Sequence, residues 1–167
     1  IFLELQAKGA KNINLVTATQ WLPWVLPALD SARRRGLRLP VVYNTGGYET
    51  VQTVQALAGY VDIWLTDFKY DSPALAAELS RAGNYPAVAD RALRAMLRQT
   101  GAPVYDPEGY LRRGVIVRHL VLPGQAADSQ AVLRRLAAVR RQEGVPFLLA
   151  LVSQFPPLFH PAPPRPG

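Results

Sequence analysis

Two oppositely charged residues, Asp67 and Lys69, lie at the end of an apolar segment of this 167-residue chain. Residues 61–69 read Val-Asp-Ile-Trp-Leu-Thr-Asp-Phe-Lys, and the side chains of a β-strand alternate between its two faces. Asp67 and Lys69 therefore share a face with Ile63 and Leu65, and that face becomes charged only at its carboxyl end. Parallel sheets, open or closed, bind ligands at the carboxyl ends of their strands. We predict a binding role for Asp67 and Lys69; a purely structural ion pair is the alternative.

An arginine interrupts a second apolar segment, residues 114–122. Arg118 falls on the same face as Ile116, whereas His119 points the opposite way. A buried and unpaired charge is costly, so Arg118 needs a partner. That partner is either Asp67 across the barrel, in a structural pair, or a carboxylate or phosphate group of a ligand. For His119 we predict a hydrogen-bonded position beneath a helix and no catalytic role.

The other predicted strands also end in hydrogen-bonding side chains. These ends read Thr17-Ala18-Thr19, Asn44-Thr45 followed by Gly46-Gly47, and Ser153-Gln154. Each alone is a weak signal because turns are usually polar, but together they predict a pocket assembled from strand ends. Trp21, Trp24 and Tyr43 are candidates to line it. No residue is identified as catalytic by this pattern, and none as a metal ligand.

These side chains are positioned by a regular alternation of strands and helices. We predict strands at residues 12–17, 40–45, 61–69, 114–122 and 146–153. The chain opens on the end of a helix that Gly9 stops. We predict further helices at residues 22–35, at 48–58, after a cap at Ser72, at 86–99, and from Asp128 or Ser129 to Gln142. Strands that are apolar on both faces indicate an α/β fold with a buried parallel sheet, either doubly wound or a partial barrel. Residues 1–154 form the domain, and residues 155–167 form a Pro-rich tail that we expect to be extended or disordered.

The composition narrows the classes of function. The net charge is +7 and the pI is near 10.1, yet the arginines are scattered over predicted helices, which favours solvated helix faces over nucleic-acid binding. The chain has no cysteine, which excludes disulfides and cysteine-held metals within it. No apolar run is long enough to span a membrane, and the common nucleotide-binding glycine loops are absent. We therefore expect a cytoplasmic protein without membrane contacts, and this distribution of charge disfavours nucleic acid as its partner.

Three consecutive segments resemble signatures of the radical S-adenosylmethionine proteins, in the subgroup similar to pyruvate formate-lyase-activating enzyme. They are Tyr-Asn-Thr-Gly-Gly-Tyr-Glu at 43–49, Val-Asp-Ile-Trp-Leu-Thr-Asp-Phe-Lys-Tyr at 61–70, and Val-Ile-Val-Arg-His-Leu-Val-Leu-Pro-Gly at 115–124. Residues 12–17 and 96–101 fit the same pattern, so the resemblance spans residues 2–157. It implies a partial parallel (β/α)6 barrel of the radical S-adenosylmethionine type, missing its first strand and cluster loop, with this chain supplying strands two to six.

The resemblance also implies a chemistry. In that family a Cys-x-x-x-Cys-x-x-Cys loop holds a [4Fe-4S] cluster, and S-adenosylmethionine chelates its open iron. Reductive cleavage of the cofactor gives a 5′-deoxyadenosyl radical that abstracts hydrogen from the substrate, a glycine backbone in the activating enzymes. The implied partners are a glycyl-radical protein or other protein substrate, and an electron donor such as flavodoxin or ferredoxin.

Six positions of this chain lie where the resemblance implies cofactor contacts. Thr17 and Thr19 stand where relatives place a Gly-Gly-Glu stretch against the methionine amino group, and the sequence departs from the family there. Asn44, Asp67, Lys69 and Arg118 resemble contacts to the ribose and the carboxylate. Because cluster ligation needs thiolates, we expect no radical chemistry from this chain alone. The helix that is cut at Ile1 favours an upstream segment.

Two other interpretations remain open from the residues themselves. One is an aldolase- or isomerase-type barrel in which Lys69 forms a Schiff base. The other is a basic, non-catalytic binding module, in which the barrel serves as a scaffold for a nucleic acid or protein partner.

Overall fold

The sheet of the protein is almost wholly parallel. A computed structural model describes residues 1–153, so the predicted tail, 155–167, lies outside the described residues. The strands are β1 (Ile13–Val16), β2 (Val41–Thr45), β3 (Ile63–Asp67), β4 (Val104–Tyr105), β5 (Leu111–Leu120) and β6 (Leu148–Val152). Five of them run parallel in the order β1-β2-β3-β5-β6, and β4 pairs antiparallel with β5 at the sheet's margin.

The helices are α1 (Phe2–Ala7), α2 (Leu22–Arg34), α3 (Val51–Ala56), α4 (Pro73–Ser80), α5 (Tyr85–Thr100) and α6 (Ala126–Glu143), with a single 3-10 turn at Thr19–Trp21. Helix α1 precedes β1, and the other helices lie in the connections between the parallel strands. Helix α4 begins as predicted, because the Ser72 hydroxyl accepts a hydrogen bond from Leu75 N at 3.2 Å. Helix α3 begins later than predicted, because the Thr50 hydroxyl caps it by accepting from Thr53 N at 3.0 Å. No helix among residues 1–153 is long and apolar enough to cross a membrane.

The order of the strands distinguishes between the doubly wound sheet and the partial barrel, which the sequence left open. Each parallel strand lies beside the one that precedes it among the parallel strands, without the reversal that defines a doubly wound sheet. The helix-side face forms the core, where Trp64, Val115 and Val117 are fully buried. The opposite face is half-open toward the carboxyl ends, at Leu65 and Ile116. The fold is therefore α/β with a sheet of the kind found in a partial barrel, which confirms the predicted class.

Two local predictions need correction. The hairpin β4–β5 was not predicted, and β5 begins at Leu111, before Gly114. The Asp106 carboxylate builds the hairpin turn by accepting from Glu108 N at 3.0 Å and Tyr110 N at 2.9 Å. The predicted cap of α6 is also wrong. The helix begins at Ala126 with Gln125 as its N-cap residue, so Asp128 and Ser129 lie inside the first turns.

Candidate functional site

A cavity of about 590 Å³ opens at the carboxyl ends of β3, β5 and β6, a volume within the usual range for small-molecule sites. Its lining combines three charged residues with an apolar wall: Asp67, Lys69, Tyr70, Leu79, Arg118, Leu120, Leu122 and Val152. The two predicted charged strands thus meet at one opening. We call it the mouth cavity.

Asp67 and Arg118 are register partners on the paired strands β3 and β5. Arg118 Nε donates to Asp67 Oδ1 at 2.6 Å, and Arg118 Nη2 donates to Asn44 Oδ1 at 3.4 Å. The partner predicted from the sequence is therefore present, but it lies on the adjacent strand and not across the barrel. The Arg118 side chain is 38% exposed and that of Asp67 is 15% exposed. Part of the guanidinium therefore remains accessible to a ligand.

Lys69 is the most accessible charge of the group. Its Nζ lies 3.9 Å from Asp67 Oδ2, and its side chain is 44% exposed. A Cβ atom placed on Gly46 would lie 3.8 Å from the same Nζ, so the amine extends over the turn that follows β2. The carboxylate of Asp67 therefore lies between two cations. Chemically, Lys69 and Arg118 offer cationic donors to an anionic group, and Asp67 offers an acceptor to a hydroxyl or ammonium group.

The turn at Gly46-Gly47 fits tightly against the end of β3. Gly47 has φ +82°, and a Cβ atom there would lie 2.1 Å from the carbonyl oxygen of Asp67. The Tyr85 hydroxyl joins both segments, because it donates to Gly46 O at 2.9 Å and accepts from Lys69 N at 3.0 Å. Burial raises the pKa of Tyr85, which keeps the hydroxyl protonated. Tyr85 thus holds the backbone of Asp67 and Lys69 in place. The sequence analysis did not identify Tyr85.

The two threonines predicted for the site lie outside the mouth cavity. Thr17 is exposed with φ +48°. The Thr19 hydroxyl lies 2.8 Å from Tyr43 OH and donates to Glu49 Oε1 at 3.1 Å. The Thr45 hydroxyl donates to the same carboxylate oxygen at 2.7 Å. Thr19 therefore belongs to a separate polar cluster around Glu49.

The aromatic residues proposed as lining lie elsewhere too. Tyr43 is fully buried on the helix-side face, and burial raises the pKa of its phenol, opposed by the hydrogen bond with Thr19. Trp21 and Trp24 are both exposed and contact each other, with ring centroids 5.8 Å apart. The structure therefore brings together Asn44, Asp67, Lys69 and Arg118, without the threonines.

The structure confirms the predicted hydrogen-bonded position of His119 beneath a helix. It is buried, its Nδ1 lies 2.7 Å from Phe68 O, and its Nε2 lies 2.9 Å from Ser129 Oγ. Because a carbonyl oxygen only accepts, Nδ1 carries the proton and Nε2 accepts from the serine hydroxyl. His119 thus joins the end of β3 to the first turns of α6.

The residues present match the two implied cofactors differently. The charged set of the mouth cavity suits a zwitterionic ligand with hydroxyl groups. An iron–sulfur cluster does not fit, since none of the 167 residues is a cysteine, and residues 1–153 contain no group of three or more His, Cys, Asp or Glu that could hold a metal.

No protein-family model matches the chain. An uncharacterized protein of Methanocaldococcus jannaschii is 32% identical over 114 residues, which are 68% of this chain, and the chain spans only 29% of that relative's length. A domain of pyruvate-formate lyase-activating enzyme from Bacteroides vulgatus matches 85% of this chain and all of that domain, with a TM-score of 0.48 and 11% identity. At that level the likeness assigns no role to any residue.

Proposed function

We propose that the mouth cavity binds S-adenosylmethionine and that this chain supplies the cofactor-binding part of a radical S-adenosylmethionine enzyme similar to the pyruvate formate-lyase-activating enzymes. One observation carries the proposal. Asp67, Lys69 and Arg118, which resemble that family's cofactor contacts, converge at one opening from two strands and the turn after β3. Asn44 on β2, a fourth such position, accepts a hydrogen bond from Arg118 Nη2 at 3.4 Å.

The chemistry of the ligand matches that of the lining. Lys69 and Arg118 offer charge-assisted hydrogen bonds to the methionine carboxylate, and Asp67 accepts from ribose hydroxyls or the ammonium group. The leucines of the cavity wall present apolar surface to the adenine ring. In a complete enzyme that holds a reduced cluster, S-adenosylmethionine would supply the chemistry of hydrogen abstraction. This chain has no thiolate to hold that cluster, so its own residues bind and orient the ligand.

The same proposal includes the remaining partners. A protein whose glycine becomes a radical, or another protein substrate, is the proposed target of the complete enzyme in the cytoplasm. An electron donor such as flavodoxin or ferredoxin is the proposed source of the reducing electron. Both act only where a cysteine-bound cluster is supplied.

Calorimetric titration of the chain with S-adenosylmethionine tests the proposal. We expect Asp67→Asn, Lys69→Met and Arg118→Met each to weaken binding tenfold or more, since the loss of a charge-assisted hydrogen bond costs about 1.5–3 kcal/mol. Lys11→Met is the matched control, because Lys11 pairs with Glu108 at 3.1 Å, away from the mouth cavity. Unchanged affinity in both the Asp67 and Lys69 variants would remove the assignment, provided that their circular dichroism matches the wild type.

The Schiff-base alternative gains no support from the geometry. A lysine amine is activated by desolvation or by a cationic neighbour. Lys69 is 44% exposed and its ion-pair partner is the carboxylate of Asp67.

A further inference from the structure

A second cleft, of about 410 Å³, lies at the amino-terminal ends of the strands, opposite the mouth cavity. Its lining contains three arginines and one carboxylate: Arg33, Leu37, Arg38, Leu39, Pro40, Asp62 and Arg112. The formal charge of this lining is +2. We call it the amino-end cleft.

Its carboxylate and one of its arginines serve the fold. Asp62 Oδ2 accepts a hydrogen bond from Val41 N at 2.8 Å. Arg33 donates to two carbonyl oxygens, Gly59 O at 2.6 Å and Tyr60 O at 2.9 Å, and its Nη2 lies 4.0 Å from Asp62. These two side chains therefore leave little bonding capacity for a ligand.

The other two arginines are placed differently. The backbone of Arg38 is held on both sides, because its N–H donates to Gln6 Oε1 at 2.7 Å and its carbonyl accepts from Arg112 Nη2 at 3.1 Å. Within residues 1–153, however, the Arg38 guanidinium has no hydrogen bond and no carboxylate within 4.0 Å. In the part of the chain that the structure describes, Arg112 has Asp106, at 4.0 Å, as its one ionic neighbour. A fixed backbone thus presents the guanidinium of Arg38 to the cleft that Arg112 also lines.

Helix dipoles account for only some of the arginines near the amino-terminal ends of the strands. Cations in the last turn of a helix offset its partial negative charge, and this explains Arg33 and Arg34 in α2 and Arg140 in α6. Arg38 and Arg112 stand outside the helices. Exposed Arg113 follows Arg112 and, among the described residues, has no ion-pair partner.

We propose that the amino-end cleft binds a phosphate group, carried by a small phosphorylated molecule or by the backbone of a nucleic acid. A guanidinium fork matches phosphate oxygens in pairs of parallel hydrogen bonds, and two adjacent forks beside a net positive lining favour a polyanion over a single carboxylate. The site lies at the other end of the sheet from the mouth cavity and stands without the S-adenosylmethionine assignment.

The test compares two double variants that each remove two positive charges. Arg38→Gln with Arg112→Gln changes the cleft, and Arg140→Gln with Arg141→Gln changes the end of α6. The probes are inorganic pyrophosphate, followed by calorimetry, and a fluorescein-labelled 12-nucleotide single-stranded DNA, followed by anisotropy from low to moderate salt. We expect the cleft pair to weaken binding at least tenfold and the helix pair less than threefold. The single variant Arg38→Gln removes a guanidinium that makes no hydrogen bond or ion pair within residues 1–153. Weaker binding by this variant therefore does not come from loss of folding.

The outcomes separate the two sources of phosphate. Cleft-dependent binding of pyrophosphate supports a small phosphorylated ligand. Cleft-dependent binding of the oligonucleotide alone, with a shallower salt dependence in the variant, supports a nucleic-acid backbone. Equal weakening by both double variants, or no binding of either probe, would overturn the proposal. S-adenosylmethionine affinity should be unchanged in the cleft pair, so failure of one proposal is distinguishable from failure of the other.

Discussion

The two ends of the sheet use arginine in contrasting ways. Near its carboxyl end, β5 carries Arg118, which is paired with Asp67 at 2.6 Å and walled by leucines. Near its amino end the same strand carries Arg112, whose closest recorded partner is a backbone oxygen, Arg38 O. An arginine that is paired with a carboxylate and partly enclosed favours a ligand that carries both an anionic group and a hydrogen-bond donor. Arginines without a carboxylate partner attract compact anions such as phosphate. The two proposals therefore place a ligand site of mixed charge near one end of β5 and a phosphate site near the other.

Glycines at the two ends give the sharpest comparison. Gly47 and Gly59 have nearly the same φ, +82° and +79°, but only Gly47 is packed against another backbone. Gly47→Ala adds a Cβ atom 2.1 Å from Asp67 O, and we expect a loss of about 3 kcal/mol or more in the free energy of unfolding. Gly59→Ala, with nothing within 4 Å, should cost about 1 kcal/mol, from backbone strain alone. Urea denaturation measures both; equal losses would show that the turn after β2 can relax.

The Tyr85 hydroxyl tests how firmly the mouth end is held. Tyr85→Phe removes the hydrogen bonds with Gly46 O and Lys69 N and leaves the Lys69 amide without this partner at a part-buried position. We expect a loss of about 1–3 kcal/mol in stability. Tyr48→Phe is the matched control: its ring stacks on Tyr85, but its exposed hydroxyl contacts only Asn84. Thermal denaturation should therefore show little change in that variant, and a similar drop in both would contradict the role given to Tyr85.

The amino end yields the smallest expected effect, through pH. Glu143 accepts from Arg98 Nε at 2.8 Å and Arg94 Nη1 at 3.0 Å. The bond from Arg98, with that from Arg94, holds the pKa of Glu143 below its ordinary value of 4.5, against the opposing effect of burial. A lowered pKa in the folded state stabilises the fold above the unfolded value, and that contribution is lost as the pH falls through the folded value.

The stability difference between wild type and Glu143→Gln should accordingly be largest at neutral pH and shrink below about pH 4.5. It should be smaller than the Tyr85→Phe effect, since Arg98 is largely exposed. Urea midpoints from pH 7 to pH 3 measure it. Glu78→Gln, at an exposed position on α4, should show no such convergence, and a pH-independent difference in the Glu143 variant would contradict the ion-pair explanation.

The periodicity of the sequence predicted those features of the site that depend on the local geometry of a single strand. Alternation along a strand placed Asp67 and Arg118 on inward faces, and strand direction placed both at one end of the sheet. The hydrogen-bonded position of His119 followed from the same parity. These features depend on neighbouring residues along one strand, which the sequence records directly.

What the sequence missed depends on contacts between distant segments. Thr19 turns toward Glu49 because a positive φ at Thr17 and a 3-10 turn redirect the chain after β1. Tyr85 reaches Gly46 from 39 residues away, and Leu79 enters the cavity from a helix. Helix α6 begins early because Asp128 is recruited by the backbone of Asp71 and Ser72 and is not used as a cap.

The pairing of β3 with β5 has a consequence for folding kinetics. Asp67 and Arg118 are register neighbours, yet 51 positions separate them. The intervening connection, which contains α4, α5 and β4, is the longest between adjacent parallel strands. Closing a long loop carries the larger entropic cost, and non-local pairings form slowly. A ligand that requires both charges therefore recognises only chains in which this long-range step is complete, and the rate at which binding competence appears after refolding reports the docking of β5 onto β3.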